Sequence, residues 1–253
     1  MNNKQQAFIV GNGPRHVIVV HGWFGSAHAW DAFSKVVDTE RFTYAFMDCR
    51  GYGARRGESG PHTMDAVADD VVALADELGW TEFDLIGHSM GGKVIQLVLK
   101  RATQRVRKLV AVTPVPAFGV PFDDATWTLF SSAADDAAAR AGIINHSTGN
   151  RLSAHWIEQM VAHSLQHSDR DAFAAYLPSW ARTDHSAGLA GLPNPMLVVV
   201  GEHDPGLAAE VMSATYLQLY PNAHIETLAN AGHYPMDETP VALATAVERF
   251  LAA

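Results

Sequence analysis

One cysteine, Cys49, stands alone among 253 residues, so the chain can form no intramolecular disulfide. That fits a reducing compartment, and a lone thiol is more often a packing group than a nucleophile. No apolar run is long enough to span a bilayer. The opening residues Met1-Asn2-Asn3-Lys4-Gln5-Gln6 have neither the apolar core nor the cleavage site of a signal peptide, so the expectation is a cytoplasmic location. Positive charge is scarce. Lys and Arg number 18 against 27 Asp and Glu, a net charge of −9, which argues against nucleic acid or an anionic membrane as partner. There is no glycine-rich dinucleotide loop, no P-loop and no internal repeat. What remains is the composition of an ordinary globule, 48% apolar and 18% charged, at a length that one α/β domain can fill.

The most informative stretch is Phe83-Asp84-Leu85-Ile86-Gly87-His88-Ser89-Met90-Gly91-Gly92. An apolar run leads in, and a helical pattern through Val94, Leu97 and Val98 leads out. Gly87-x-Ser89-x-Gly91 between them has the spacing of a nucleophile elbow in its required strand-turn-helix context. A hydroxyl standing clear of so tight a turn needs neighbours without side chains. The helix beginning there presents free N–H groups to charge developing beside Ser89. By itself the motif is also what a strand-to-helix turn with a capping serine would show.

Other apolar runs place strands at Ala7 to Val10, His16 to Val20, Val106 to Val112 and Pro195 to Val200, and Phe42 to Met47 and Ala223 to Leu228 also read as strands. Gly11-Asn12-Gly13-Pro14 reads as the turn of a hairpin joining the first two. Helical faces recur at Trp30, Phe33, Val36 and Val37, over Met64 to Leu78 with a stop at Gly79, over Ala208 to Leu219, and from Thr239-Pro240 onward. Strand-helix alternation of this kind predicts an α/β fold, a mostly parallel sheet of about seven to eight strands with helices on both faces. Asp48 and Arg50, in the loop after the third run, read as a charge pair or backbone caps.

From about residue 115 to 186 no strand appears. Three helices are expected there, near Ala125 to Ala141, Ser153 to Ser164 and Asp169 to Leu177, in a segment rich in aromatics. Such an insertion ahead of the strand at Pro195 looks like a helical cap. It divides the chain into a core, 1–114 and 187–253, and a cap, 115–186. His163 and His167 stand at metal-like spacing, but without an obvious third ligand they read as hydrogen-bonded or solvated side chains, and no metal is expected.

Ser89, Asp204 and His233 each follow a strand, at the sheet edge where open α/β sheets bind ligands. Serine, then acid, then histidine is the chain order of one triad architecture and not of the others. With His21-Gly22-Trp23, Asp48-x-Arg50-Gly51-x-Gly53, Gly201-x-x-Asp204 and Gly232-His233, these residues resemble the α/β-hydrolase fold superfamily, in its compact cap-bearing branch of small esterases, lactonases, C–C hydrolases and perhydrolases. The resemblance covers nearly the whole chain. It implies Ser89 as nucleophile, His233 as general base and acid, Asp204 as its orienter, and the backbone N–H groups of Trp23 and Met90 as an oxyanion hole. Serine at the elbow disfavours the superfamily's carboxylate-nucleophile enzymes.

The expected activity is hydrolysis of an ester or lactone of small to medium size, uncharged because the cap and the Trp23-Phe24 pair are aromatic, with no cofactor. Phe24, His88, Trp127, Trp156, Trp180 and Tyr234 are the candidates for substrate binding. C–C bond hydrolysis, a cofactor-free lyase or perhydrolase reaction on the same residues, and a non-catalytic receptor on the same scaffold stay open at this level. A monomer or a homodimer would both fit.

Overall fold

The computed structural model describes residues 7–253, so the reading of Met1 to Gln6 lies outside the described residues. Among them seven strands form one sheet: β1 (Ala7–Gly11), β2 (Arg15–Val20), β3 (Phe42–Met47), β4 (Phe83–His88), β5 (Val106–Val112), β6 (Met196–Gly201) and β7 (Ala223–Leu228). Their order is β1-β3-β2-β4-β5-β6-β7. All pairings are parallel except that of β1 with β3. Val17 to Val20 and β6 are buried along their length, which is why they read as unbroken apolar runs rather than alternating ones, and β4 is buried throughout although it carries Asp84 and His88. Among the described residues ten α-helices accompany the sheet: α1 (Asp31–Ser34), α2 (Met64–Glu77), α3 (Met90–Arg101), α4 (Asp124–Ser132), α5 (Ala137–Ser147), α6 (Ala154–His167), α7 (Arg170–Arg182), α8 (Ala209–Leu219), α9 (Pro235–Glu238) and α10 (Pro240–Ala252).

The expected hairpin does not form. β1 pairs antiparallel with β3, from Ala7 opposite Met47 to Gly11 opposite Thr43, and β3 separates it from β2. Gly11 to Pro14 is a crossing, not a two-residue turn. Asn12 N–H donates to the Thr39 carbonyl (3.0 Å) and Gly13 N–H to that of Phe42 (3.2 Å). Gly13 runs so close to the Arg41–Phe42 backbone that any Cβ would collide with it.

Local chemistry accounts for other departures. The stretch expected as one helix over Ala125 to Ala141 is two, because Asp136 accepts the Ala138 N–H (2.8 Å) and caps a fresh start. Four helices, α4 to α7, therefore stand between β5 and β6, where three were expected. The helix after Trp30 ends at Ser34; Trp30 and Phe33 are buried, whereas Val36 faces solvent. Pro240 does open α10, but the Thr239 side chain makes no capping bond. Asp48 holds its loop as a backbone cap, accepting N–H groups of Ala27 (2.7 Å) and Ala54 (2.9 Å). Arg50 pairs with Asp70 (2.6 Å) rather than with Asp48. Cys49 is fully buried, and burial pushes its thiol pKa up, so it is a packing group.

The α4–α7 segment is tied to the sheet by a buried cation. Lys93, on α3, donates its ammonium to the carbonyls of Trp180 (2.9 Å) and Thr183 (2.5 Å) at the end of α7. Those carbonyls lack helical partners, so a cation there offsets the dipole. Burial pulls the Lys93 pKa down to about 8. No helix among the described residues is long and apolar enough to cross a membrane.

Candidate active site

Ser89 sits between the last residue of β4 and the first of α3, with φ 53° and ψ −114°, a conformation that side-chain-bearing residues rarely adopt. The turn is held by its own backbone. Ser89 N–H donates to the Val112 carbonyl (3.0 Å), and the Ser89 carbonyl accepts from Gly92 (2.9 Å) and Val115 (3.0 Å). A Cβ on Gly87 would strike the Gly91 backbone, and one on Gly91 would lie 2.5 Å from the Val20 carbonyl oxygen. Both glycines of the motif are thus spatial necessities. Met90 opens α3, and its N–H, the first of the helix, precedes any helical acceptor.

Asp204 lies just beyond β6 and is buried. Its Oδ1 accepts the N–H groups of Gly206 (3.0 Å) and Leu207 (3.1 Å), while Oδ2 accepts from His233 Nδ1 (2.7 Å). With Nδ1 as donor, the neutral His233 ring keeps Nε2 as its acceptor. The His233 main chain is clamped as well. Its N–H donates to Ser147 (3.2 Å), and its carbonyl accepts Thr113 Oγ1 (2.9 Å) and His88 Nε2 (2.8 Å). Burial, then the adjacent His233 ring, holds His88 well below the usual histidine pKa, so His88 is a neutral N–H donor.

Glu238 supports the same loop and escaped sequence reading. Its carboxylate accepts the N–H groups on either side of His233, from Gly232 (2.8 Å) and Tyr234 (2.9 Å), and pairs with Arg151, which also donates to the Asn230 carbonyl (2.8 Å). Glu238→Ala strands two N–H groups and one guanidinium. It is expected to lower stability by about 2–4 kcal/mol and to reduce turnover as His233 loses its fixed position. Urea unfolding alongside kcat checks both; a variant matching wild type in each contradicts this role.

The loop after β2 faces Ser89, since a Cβ on Gly22 would lie 3.1 Å from Ser89 Cβ. His21 fixes this loop. Its Nε2 accepts the Cys49 N–H (3.0 Å), so its proton is on Nδ1, which donates to the Gly22 carbonyl (2.8 Å). Burial lowers its pKa and keeps it neutral. The Trp23 carbonyl accepts the Tyr52 hydroxyl (2.9 Å), and its indole N–H donates to Phe173 of α7 (2.8 Å). The Trp23 peptide is thereby immobilised beside the elbow.

Ser89, Asp204 and His233 line one cavity of about 400 Å³. Of the residues expected to meet substrate, Phe24, Trp180 and Tyr234 line it too; His88, Trp127 and Trp156 do not. His88 is behind the site, on the His233 carbonyl. Trp127 lies beneath the Arg182 guanidinium (3.3 Å to the ring centre), and Trp156 donates to Asp237 (2.5 Å). Helical phase is the reason. On α4 the cavity takes Thr126, Leu129 and Phe130, an i, i+3, i+4 face that excludes position 127. α5 adds Ile143, His146 and Ser147 by the same spacing. That periodicity was the available signal for lining residues the sequence reading missed.

His163 and His167 are hydrogen-bonded, as expected: His163 Nε2 to Ser26 Oγ (3.0 Å), and His167 Nδ1 to the His163 carbonyl (2.9 Å). No group of metal-ligating side chains occurs among the described residues. Burial, then the His167, His21 and His28 rings against the opposing charge of Asp31, takes the His163 pKa down to about 4. Between pH 6.5 and 4 the unfolded chain binds a proton there that the folded chain refuses, so stability is full above pH 6.5 and falls as pH drops through this window. Thermal melts at pH 7 and 5 are expected to show a smaller pH-dependent fall for His163→Asn than for wild type. Equal falls contradict the assignment.

Comparison with known proteins agrees with this architecture. A bifunctional esterase/perhydrolase of Acinetobacter calcoaceticus is 27% identical over 237 residues, 84% of each chain. A pimeloyl-[acyl-carrier protein] methyl ester esterase of Klebsiella pneumoniae is 27% identical over 245 residues, 92% of each. The solved structure of a hydrolase from Oleispira antarctica superposes with a TM-score of 0.89 at 18% identity, covering 99% of this chain and 96% of that one, a likeness of fold. The model of the alpha/beta hydrolase family matches residues 17–246, from the second strand of the sheet into its last helix. The chain belongs to the alpha/beta hydrolase family.

Proposed function

We propose that the chain is a serine hydrolase of carboxylic esters or lactones, acting on small to medium uncharged substrates through an acyl-Ser89 intermediate. The observation that carries this is the meeting of a strained Ser89 and an Asp204-oriented His233 on one largely apolar cavity. Among the described residues lining it there is no lysine or arginine, which supports an uncharged substrate. The esterases among the chain's relatives support the same reading.

His233 Nε2 takes the Ser89 proton as Oγ attacks the carbonyl carbon. Asp204 holds the ring's tautomer and stabilises the imidazolium. The oxyanion forms against the N–H groups of Trp23 and Met90, each worth about 3–4 kcal/mol in comparable sites. Collapse breaks the C–O bond, and His233 returns the proton to the departing alcohol. Water, deprotonated by His233, then releases the acid and restores Ser89. Each step uses groups of this chain. In this reading residues 115–186 form a cap over the site and residues 1–114 with 187–253 form the core. Hydrogen peroxide in place of water at the second stage would give perhydrolysis, which the name of the Acinetobacter relative brings into view.

A p-nitrophenyl ester series tests the proposal. Release of nitrophenolate that depends on Ser89 is expected. A folded wild-type protein inert toward the whole series would instead favour C–C cleavage or a receptor.

A further inference from the structure

The cavity wall is of two kinds. One side is a cluster of touching rings: Trp23 stacks on Phe130 (5.9 Å between centres), Phe122 meets Phe130 (4.5 Å), and Trp180 stands edge-on to Phe122 (5.8 Å). The other side is built where the end of α5 meets the acid and base loops. There the Ser147 carbonyl receives the His233 N–H, and a Cβ on Gly149 would lie 3.0 Å from the His203 carbonyl oxygen. His146 and Ser147 face the cavity on this side, with Gly206 and Leu207.

Ser147 is occupied, donating its hydroxyl to Ile144 (2.9 Å). His146 is not. It lies on the last turn of α5, exposed and lining the cavity, and among the described residues its ring has no hydrogen-bond, ionic or ring partner. A histidine in a largely apolar wall with both nitrogens open can recognise an oxygen that the substrate brings.

The proposed ester chemistry orients the substrate across these two sides, and the inference rests on that reading. His233 must hand its proton to the leaving oxygen, so the alcohol lies toward His233 and α5. The acyl group, bonded to Ser89 with its oxygen at Trp23, lies toward the rings. We propose that His146 determines specificity for the alcohol half: the substrates are esters of an apolar acid with an alcohol that carries a further oxygen, hydroxyl or ether, hydrogen-bonded by the His146 ring.

The experiment compares two butyrate esters of similar length, propyl butyrate and 1-glyceryl butyrate, with wild type, His146→Leu, His146→Gln and Ser89→Ala. The readout is the ratio of kcat/KM for the glyceryl ester to that for the propyl ester. Wild type is expected to favour the glyceryl ester. His146→Leu is expected to lower the ratio about three- to tenfold, the effect of one hydrogen bond, and His146→Gln, which can still donate and accept, to recover most of it. A ratio unchanged in His146→Leu, or lowered there and not recovered by Gln, overturns the assignment of His146 while Ser89-dependent hydrolysis stands. Absence of Ser89-dependent hydrolysis of both esters is a different failure, that of the ester-hydrolase reading itself.

Discussion

Ser89→Ala is expected to lower kcat on p-nitrophenyl butyrate by about 10⁴- to 10⁶-fold, the range for removing the nucleophile of a serine triad. The size follows from the chemistry lost, because the acyl-enzyme route needs an oxygen at this position and nothing else on the elbow supplies one. The fold is expected to survive. The Ser89 hydroxyl makes no capping bond to α3, and the contacts fixing the turn are those of the Ser89 N–H and carbonyl with Val112, Gly92 and Val115. Alanine keeps all three and adopts the positive φ at much the same cost. A melting temperature within a few degrees of wild type beside a collapse in turnover is the expected pair of results. A folded variant retaining a tenth or more of wild-type kcat would remove Ser89 from the mechanism.

Asp204→Asn is expected to cost about 10⁴-fold in kcat. Asp204 accepts three donors: Gly206 and Leu207 on one oxygen and His233 Nδ1 on the other. An asparagine can satisfy the two backbone N–H groups only by directing its carbonyl at them. Its NH₂ then faces His233 and requires Nδ1 as acceptor. The proton moves to Nε2, where the ring can no longer take one from Ser89. The imidazolium formed during attack also loses its counter-charge. The same geometry gives Asp204→Ala a different signature, because two backbone donors and Nδ1 lose their acceptor and stability falls with activity. If Asn and wild type share a kcat, the Asp204–His233 contact is structural only.

Much of the candidate site's arrangement was legible because its residues follow strands. Ser89 and Asp204 come after strands buried along their length, His233 follows a strand of mixed polarity in which only Leu228 is buried, and the elbow glycines have a steric cause that the spacing itself encodes. What stayed hidden depends on which distant segments meet. β1 was visible as a strand, but its partner was not, since pairing with β3 is decided by sheet order rather than by the Asn12-Gly13 step. Thr113 and Ser147 hold the His233 loop from two distant parts of the chain, and no local pattern links them to it. Glu238 had a faint signal, an acidic side chain four residues past Tyr234 that reaches back to its N–H (2.9 Å), as charged residues do at helix starts. The aromatics of residues 115–186 misled because size and ring type do not set direction. Trp127 and Trp156 are as large as Trp180, yet helical phase turns them to Arg182 and Asp237.

The central claim is that Ser89 carries the acyl group, and covalent capture tests it most directly. The protein is incubated with a fluorophosphonate, and peptide mass spectrometry then locates the adduct. The account predicts one phosphonyl group per chain, on Ser89, with labelling suppressed in His233→Ala because the hydroxyl then has no base. Labelling at another residue, or none in folded wild-type protein, would contradict it.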